Sequence, residues 1–424
     1  MPAVPAAAGW SAEDAERYLL SLELFGMRFG LERMRRLMTV LGHPERRFET
    51  IHVVGTNGKS STARMIAALL RRDGAHVGVY LSPHLLSFAE RIRVDERDLS
   101  DAEFANAVAR AAHASSIVDR ASKSDDRVTQ FEALTAAALD ELARQKVEVA
   151  VVEAGLGGRH DATSVVHSQV QVLTNVDLEH QRWLGPTLRD IALEKLAVTQ
   201  PGGTLVVGDL DPSILAEARA TATSRGARLV QAPEDAGVEL AALGAFQRRN
   251  FALALSAARA LRPALGDTAA RAAAGEVVVP GRLQLVGHDP LTFLDGAHNP
   301  AGVAALAESL PELLGARPLA AVVSVLDDKD AAAMLRVLLG LSVHVVACAC
   351  SNPRALPPAT LQSLALQLGG PAGGGRCEIE LDPRRALALA GSLVGDRGAV
   401  LATGSIYLVA DLLRKPGARR ASTL

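Results

Sequence analysis

The stretch FETIHVVGTNGKSSTARMIAALLRRDGAHVGVYL (48–81) constrains the fold more than any other part of the chain. A β-branched run ends in Gly55 and Gly58, then Lys59 and the hydroxyls of Ser60, Ser61 and Thr62. Met65, Ile66, Leu69 and Leu70 follow at helical spacing, and Gly74 stands where such a helix would end. A second apolar run, VGVYL, completes the pattern strand–loop–helix–strand, about 30 residues long as a βαβ unit requires. Such a loop aims backbone N–H groups and a helix N-terminus at an anion; Lys59 supplies a charge, and Ser60 or Ser61 a hydroxyl, for a Mg-nucleotide. The longer G-x-x-x-x-G-K-[ST] pattern would need glycine at position 53, where this chain has valine, so the loop is a shorter variant.

The same alternation recurs. VEVAVVEAGLGG, VQVLTNVD and TLVVGDL are continuous apolar runs, as expected for parallel strands covered on both faces. A break falls near VVVPGRLQLV (277–286), and a second set of five strands begins with TFLDGAHNP. The expected fold is α/β: a first domain over 1–282 with a parallel sheet, and a smaller Rossmann-like α/β domain over 283–424. Ser11 and Asp14 fit a capping box, and the pattern around Gly26 and Gly30 reads as two short helices with a tight loop between them. Residues 1–9, the polar run 119–127 and the basic tail after 413 read as frayed or surface segments.

Composition narrows the function. A net charge of −2 over 424 residues argues against a nucleic-acid binder. No apolar run approaches the ~18 residues of a membrane span, and the N-terminus does not read as a signal peptide. Cys348, Cys350 and Cys377 form no CxxC pair and read as small hydrophobes in a reduced, cytoplasmic protein.

Function in parallel α/β sheets gathers at the carboxyl ends of strands. Those ends carry Ser82, Glu153, Asp177, Glu179 and His180, a set of hard oxygen donors plus one histidine that suits Mg²⁺. In the second domain a buried strand delivers Asp295 and His298, and PGRLQ places Arg282 at the junction, set to touch a phosphate. Lys195 in IALEKLAV reads, from its own residues, as a surface lysine.

GTNGKSST, YLSPHLLSFAERIRV, VVEAGLGGRHDATS, WLGPTLRDIALEKLAV, PGRLQ, LDGAHNP, DDKD and TGSIYLV occur in this order between about residues 20 and 414. Together they resemble the folylpolyglutamate synthase/dihydrofolate synthase family of the Mur ligase superfamily. The resemblance implies an ATP-dependent ligase that adds L-glutamate to dihydropteroate and to tetrahydrofolate through an acyl phosphate. Carried over, Asn57, Gly58, Lys59 and Ser60 match the triphosphate loop, and Asn250, Arg282 and Asp295 match further ATP contacts. Ser82, Glu153 and His180 match Mg²⁺ ligands. Lys195 matches a lysine that is carbamylated in the family and able to bind a second Mg²⁺. His298 matches a residue near the incoming glutamate. Gly26, Met27, Arg28, Phe29, Thr129, Gln130, Phe131, Glu132, His160, Asp161 and Ala162 match the dihydropteroate pocket. A monomer is expected from family habit.

Several positions depart from the family pattern. Ser60 stands where glycine is usual, Glu179 where an aspartate precedes the histidine, EKLA replaces EKAG, and FQRR precedes Asn250 in place of HQ. These keep open a ligase of the same fold acting on another acid. A peptidoglycan Mur ligase would need a further N-terminal domain, for which the roughly 50 residues before the loop are too few. A non-catalytic nucleotide-binding regulator would be expected to lose Lys59, Glu153, His180, Lys195, Asp295 or His298, and all are present.

Overall fold

The structure is a computed structural model and describes residues 9–22, 30–122 and 126–415. The chain divides into two compact units, Met1–Glu239 with Arg249–Val277, and Leu240–Arg248 with Val278–Leu424.

The first unit is built on an eight-stranded sheet of order β4-β3-β2-β5-β1-β6-β7-β8. Its strands are β1 (Glu49–Val54), β2 (Val77–Tyr80), β3 (Ile92–Val94), β4 (Arg97–Asp98), β5 (Val149–Glu153), β6 (Val170–Leu173), β7 (Thr204–Val207) and β8 (Arg228–Gln231). β1 pairs in parallel with β5 and β6, with Ile51 opposite both Val151 and Val170. Every residue of β5 and β6 is buried, which explains the unbroken apolar runs of the sequence. Each fully buried valine there contributes about 1.5–3 kcal/mol of apolar transfer.

Five helices of this unit matter to the site: α1 (Ala12–Ser21), α2 (Glu32–Val40), α3 (Lys59–Arg72), α4 (Asp101–Ala121) and α5 (Gln130–Arg144). α1 opens on the expected Ser11–Asp14 capping box. α5 opens on a second one, Thr129–Glu132. α5 can lie close on β2 because Gly78 has no Cβ; one added there would come 2.5 Å from Leu142 Cδ2. α4 runs to Ala121, so the first residues of the expected 119–127 loop are helical.

β3 and β4 form an antiparallel hairpin that the sequence reading did not foresee. Its turn residues, Asp95 (φ 48°) and Glu96 (φ 64°), are left-handed without being glycine or asparagine. Side-chain contacts hold them there: Asp95 Oδ1 accepts from Val77 N at 3.0 Å, and Arg72 pairs with Glu96 at 2.5 Å. The usual Asn-Gly signature of such a turn is missing, so the sequence concealed it.

The second unit carries a six-stranded sheet of order β13-β12-β11-β14-β10-β9. Its strands are β9 (Gln284–His288), β10 (Leu291–Leu294), β11 (Leu319–Val323), β12 (His344–Ala347), β13 (Cys377–Ile379) and β14 (Ala399–Thr403). Five of them are the expected parallel set; β9 adds an antiparallel edge. Its pattern QLVGH is half-exposed and too polar to read as a core strand. Cys348 and Cys350 are buried and unpaired just after β12.

Candidate functional site

In the first unit the loop Gly55–Gly58 leaves β1 and turns into α3. It is pinned by the strand beside it. Thr56 N donates to Asn175 O at 3.0 Å, Asn57 N to Asn175 Oδ1 at 2.8 Å, and Thr174 Oγ1 to Asn57 O at 2.6 Å. Gly55 is required: a Cβ there would lie 1.8 Å from Thr174 Oγ1. Gly58, at φ 81°, is required for two reasons, its left-handed backbone and the side chain of Asn250, whose Oδ1 would be 2.6 Å from an added Cβ. Asn250 is thereby placed on the loop. Thr174 and Asn175 were missed as loop-positioning residues; their place at the end of β6, next to β1, was the available signal.

Two lysines meet at one carbonyl. Lys59 Nζ donates to Gly55 O at 3.2 Å and to Thr56 O at 3.0 Å, and Lys195 Nζ donates to the same Gly55 O at 2.7 Å. Lys195 is 3 % exposed, so the surface-lysine reading fails. The helix Leu188–Leu196 buries Ile191, Ala192, Lys195 and Leu196, one stripe at helical spacing. Burial pushes the Lys195 ammonium down to about 7, and Lys59 adds to the push; Glu179, Asp161 and Asp177 oppose it.

Glu153, 1 % exposed at the end of β5, accepts from Ser60 Oγ at 2.8 Å and from Ser82 N at 3.0 Å. Ser60, Ser82 and Glu153 are therefore one cluster. Asp177 N donates to Thr56 Oγ1 at 3.1 Å; burial pushes its carboxyl up, opposed by a hydrogen bond from Asn57. His180 is left-handed at φ 53°, and its Nε2 lies 3.8 Å from Glu179 Oε1. Among the described residues no three His, Cys, Asp or Glu side chains gather as a metal cage. That donor set, one buried carboxylate with hydroxyls beside an anion loop, fits Mg²⁺, which takes much of its shell from phosphate and water.

TQFE and HDA also meet. Phe131 lies against Gly155, where an added Cβ would be 2.6 Å from its Cζ. Asp161 Oδ2 accepts from Leu156 N at 2.9 Å and Oδ1 from Thr163 N at 2.9 Å, so its carboxylate closes the glycine loop after β5. Ala162 is buried, and His160 is exposed. Thr129 caps α5, and Gln130 Nε2 donates to Leu19 O at 2.9 Å. Arg33 Nε donates to both Glu132 oxygens at 3.0 Å in a buried ion pair, and Arg33 Nη1 donates to the half-exposed Asp126. Gly26, Met27, Arg28 and Phe29 lie outside the described residues, as do residues 1–8 and 416–424.

In the second unit Asp295, 3 % exposed, accepts from Leu283 N and Ala297 N, both at 2.7 Å. Burial pushes its carboxyl up, against the pull of Arg282. The Arg282 guanidinium lies over Gly296, where a Cβ would be 2.3 Å from Nη1. His298 Nδ1 donates to Gly296 O at 2.9 Å, which fixes the proton on Nδ1.

The sequence profile described as Mur ligase middle domain matches residues 53–239, and that described as Mur ligase, glutamate ligase domain, matches 281–406. A dihydrofolate synthase/folylpolyglutamate synthase of Bacillus subtilis is 31 % identical over 95 % of this chain and 98 % of its own. A probable bifunctional folylpolyglutamate synthase/dihydropteroate synthase of Haloferax volcanii is 37 % identical over 94 % of this chain, which spans only 50 % of that relative. The structure of Mycobacterium tuberculosis folylpolyglutamate synthase complexed with ADP superposes with a TM-score of 0.88 and 31 % identity, over 96 % of this chain and 99 % of that one. The chain therefore belongs to the folylpolyglutamate synthase/dihydrofolate synthase family of Mur ligases.

Proposed function

We propose that the chain is an ADP-forming amide ligase that joins L-glutamate to dihydropteroate and to tetrahydrofolate. The observation that carries this reading is the pinned loop Gly55–Ser60, with Lys59 and Lys195 on one carbonyl and Glu153 held by Ser60. Such a loop presents positive charge and a hydroxyl to a triphosphate. Mg²⁺ held by Glu153 with Ser60, Ser82 or His180 would neutralise charge on the transferring phosphoryl group.

The acceptor carboxylate oxygen takes the terminal phosphoryl group as the bond to ADP breaks. The glutamate nitrogen, having lost its proton, then attacks the acyl carbon, and the C–O bond to phosphate breaks. Lys59 orients the phosphates. Lys195, with its ammonium pushed down to about 7, offers an uncharged amine to CO₂; the N–C bond forms, one proton is released, and a carbamate results. Phe131, Gly155 and the loop closed by Asp161 form the wall proposed for the pterin, with Thr129, Gln130, Glu132, His160 and Ala162 beside it. Asn250, Arg282 and Asp295 are proposed nucleotide contacts, and His298 a residue near the glutamate. No described helix is long and apolar enough to cross a membrane. A cytoplasmic, monomeric enzyme of small molecules is proposed from the family resemblance alone.

Phosphate release from purified protein with Mg-ATP and L-glutamate tests the reading. Release that requires dihydropteroate is the expected result, and added release with tetrahydrofolate establishes polyglutamylation. Release with neither acid transfers the reading to a ligase for another acid, and the Ser60 and EKLA departures become the place to look.

A further inference from the structure

His52 is a histidine inside an apolar strand. It is the fourth residue of β1, beside Ile51, Val53 and Val54, and 1 % exposed. Val152, opposite it on β5, belongs to the apolar cluster that includes Ala162 and Val166. A valine would suit the place; a buried imidazole costs free energy there unless it is hydrogen-bonded. Its Nε2 lies 2.8 Å from Thr163 Oγ1. The Thr163 hydroxyl donates to Asp161 Oδ1, which also accepts from Thr163 N at 2.9 Å, while Oδ2 accepts from Leu156 N at 2.9 Å. Both carboxylate oxygens therefore act as acceptors, and His52 is the donor that starts the chain.

The chain ends in the glycine loop 155–161, and that loop has three neighbours. Phe131 lies against Gly155, and a Cβ added at Gly157 would be 2.8 Å from Leu184 Cδ2. Arg159 N donates to Glu194 O at 3.0 Å, one residue before Lys195. At its other end the chain begins three residues before Gly55, whose carbonyl receives both lysines. One strand thus launches the phosphate loop through its backbone and holds the loop after β5 through a side chain. Two backbone amides suffice to seat Asp161 as a cap. The Thr163 hydroxyl and the imidazole behind it add direction, because they fix how the carboxylate is rotated.

We propose that His52 and Thr163 are positioning residues for the acceptor. The chain His52–Thr163–Asp161 fixes the loop 155–161, and with it the pteroate or folate acid on that wall, relative to the phosphate loop that leaves the same strand. The acceptor carboxylate must meet the terminal phosphoryl group in line, and a misplacement of about 1 Å costs such a reaction about 10²-fold. This inference rests on the folate reading above.

The test measures phosphate release from the full chain with Mg-ATP, L-glutamate and dihydropteroate, below the melting temperature of every variant. In T163V and in H52L, kcat/KM for dihydropteroate should fall at least about tenfold, while KM for ATP and the affinity for ADP stay within about twofold. H52Q presents an amide N–H where Nε2–H stood and should stay within about threefold of wild type. The double variant H52L/T163V should be no worse than T163V, because His52 acts through Thr163. A purely structural role would lower the melting temperatures and leave kcat/KM of the folded protein unchanged, and that result overturns the proposal. A loss in ATP or ADP affinity as large as the loss for the acceptor assigns the chain to the phosphate loop and overturns it too. Additive losses in the double variant remove His52 from the chain, with the same consequence. Should H52L and T163V fail to fold, H52N carries the amide one methylene short: a fall of at least about threefold in kcat/KM for dihydropteroate, absent in H52Q, supports the proposal, and equal values in the two overturn it. Wild type without dihydropteroate-dependent release defeats the folate reading, and this inference with it.

Discussion

The two units place their strand ends alike and furnish them differently. At the ends of β1, β5 and β6 the first unit gathers charge: Lys59, Lys195, Glu153, Asp161 and Asp177. Their hydrogen bonds go largely to backbone and hydroxyl groups, and Lys195 is buried with its charge uncompensated at close range. At the ends of β10, β11, β12 and β14 the second unit gathers Ser324, Thr403, Ser405, Cys348 and Cys350, all buried and neutral. Ser324 Oγ accepts from Cys350 N at 3.0 Å, and burial holds the Cys348 thiol well above its usual range. Among the described residues the buried carboxylate at those ends is Asp295, closed by two backbone amides. The layout supplies the location in both units; the side chains decide whether the location can handle a phosphoryl group.

Removing charge from the first unit should therefore cost rate and spare stability. Lys59→Ala should lower turnover roughly 10³-fold in the phosphate-release assay. Its melting curve should hardly move, because Nζ contacts only two carbonyls of its own loop. An equal loss of stability would erase the distinction between the units. Lys195→Ala should lower kcat roughly 10²-fold while leaving ADP affinity within about twofold. Wild-type turnover should also fall in CO₂-depleted buffer. Full activity in the Lys195→Ala protein would eliminate the carbamate.

Much of this was legible in the sequence because it is local. The loop and α3 follow from glycines, hydroxyls and helical spacing within a few residues. The Ser11 capping box is equally local. What escaped is long-range or lacks its usual signal. Arg33 and Glu132 are 99 residues apart, and nothing in either segment announces the pair. Thr174 and Asn175 act only because β6 lies beside β1. The β3–β4 turn is made from Asp95 and Glu96, held by side-chain contacts in place of glycine. Lys195 is the instructive case: its own residues read as a surface lysine and only the resemblance drew it into the site, although its place on the stripe Ile191, Ala192, Leu196 already marks a buried face.

The second unit offers the opposite phenotype. Asp295→Ala leaves the buried amides of Leu283 and Ala297 without acceptors, which should cost about 2 kcal/mol of stability. Urea unfolding measures it, and an unchanged midpoint would mean that the two amides find other acceptors and that the carboxylate does not hold this turn.

The smallest effect tests whether the floor of the first unit is as dry as its charges imply. His52 on β1 is 1 % exposed, with Nε2 at 2.8 Å from Thr163 Oγ1, whose own proton goes to Asp161. The ring is therefore an Nε2–H donor, and burial pushes its pKa from 6.5 down to about 4. Below 6.5 the unfolded chain takes up a proton that the folded chain refuses, so stability falls as pH drops through that window and levels off below the folded value. The slope from this one residue is on the order of 1 kcal/mol per pH unit. His52→Gln keeps a donor for Thr163 and cannot titrate, so its unfolding free energy should decline less between pH 6.5 and 4 than that of wild type. Parallel declines in the two proteins would mean that water reaches the ring and that the sheet beneath the loop does not provide the low dielectric the lysines require.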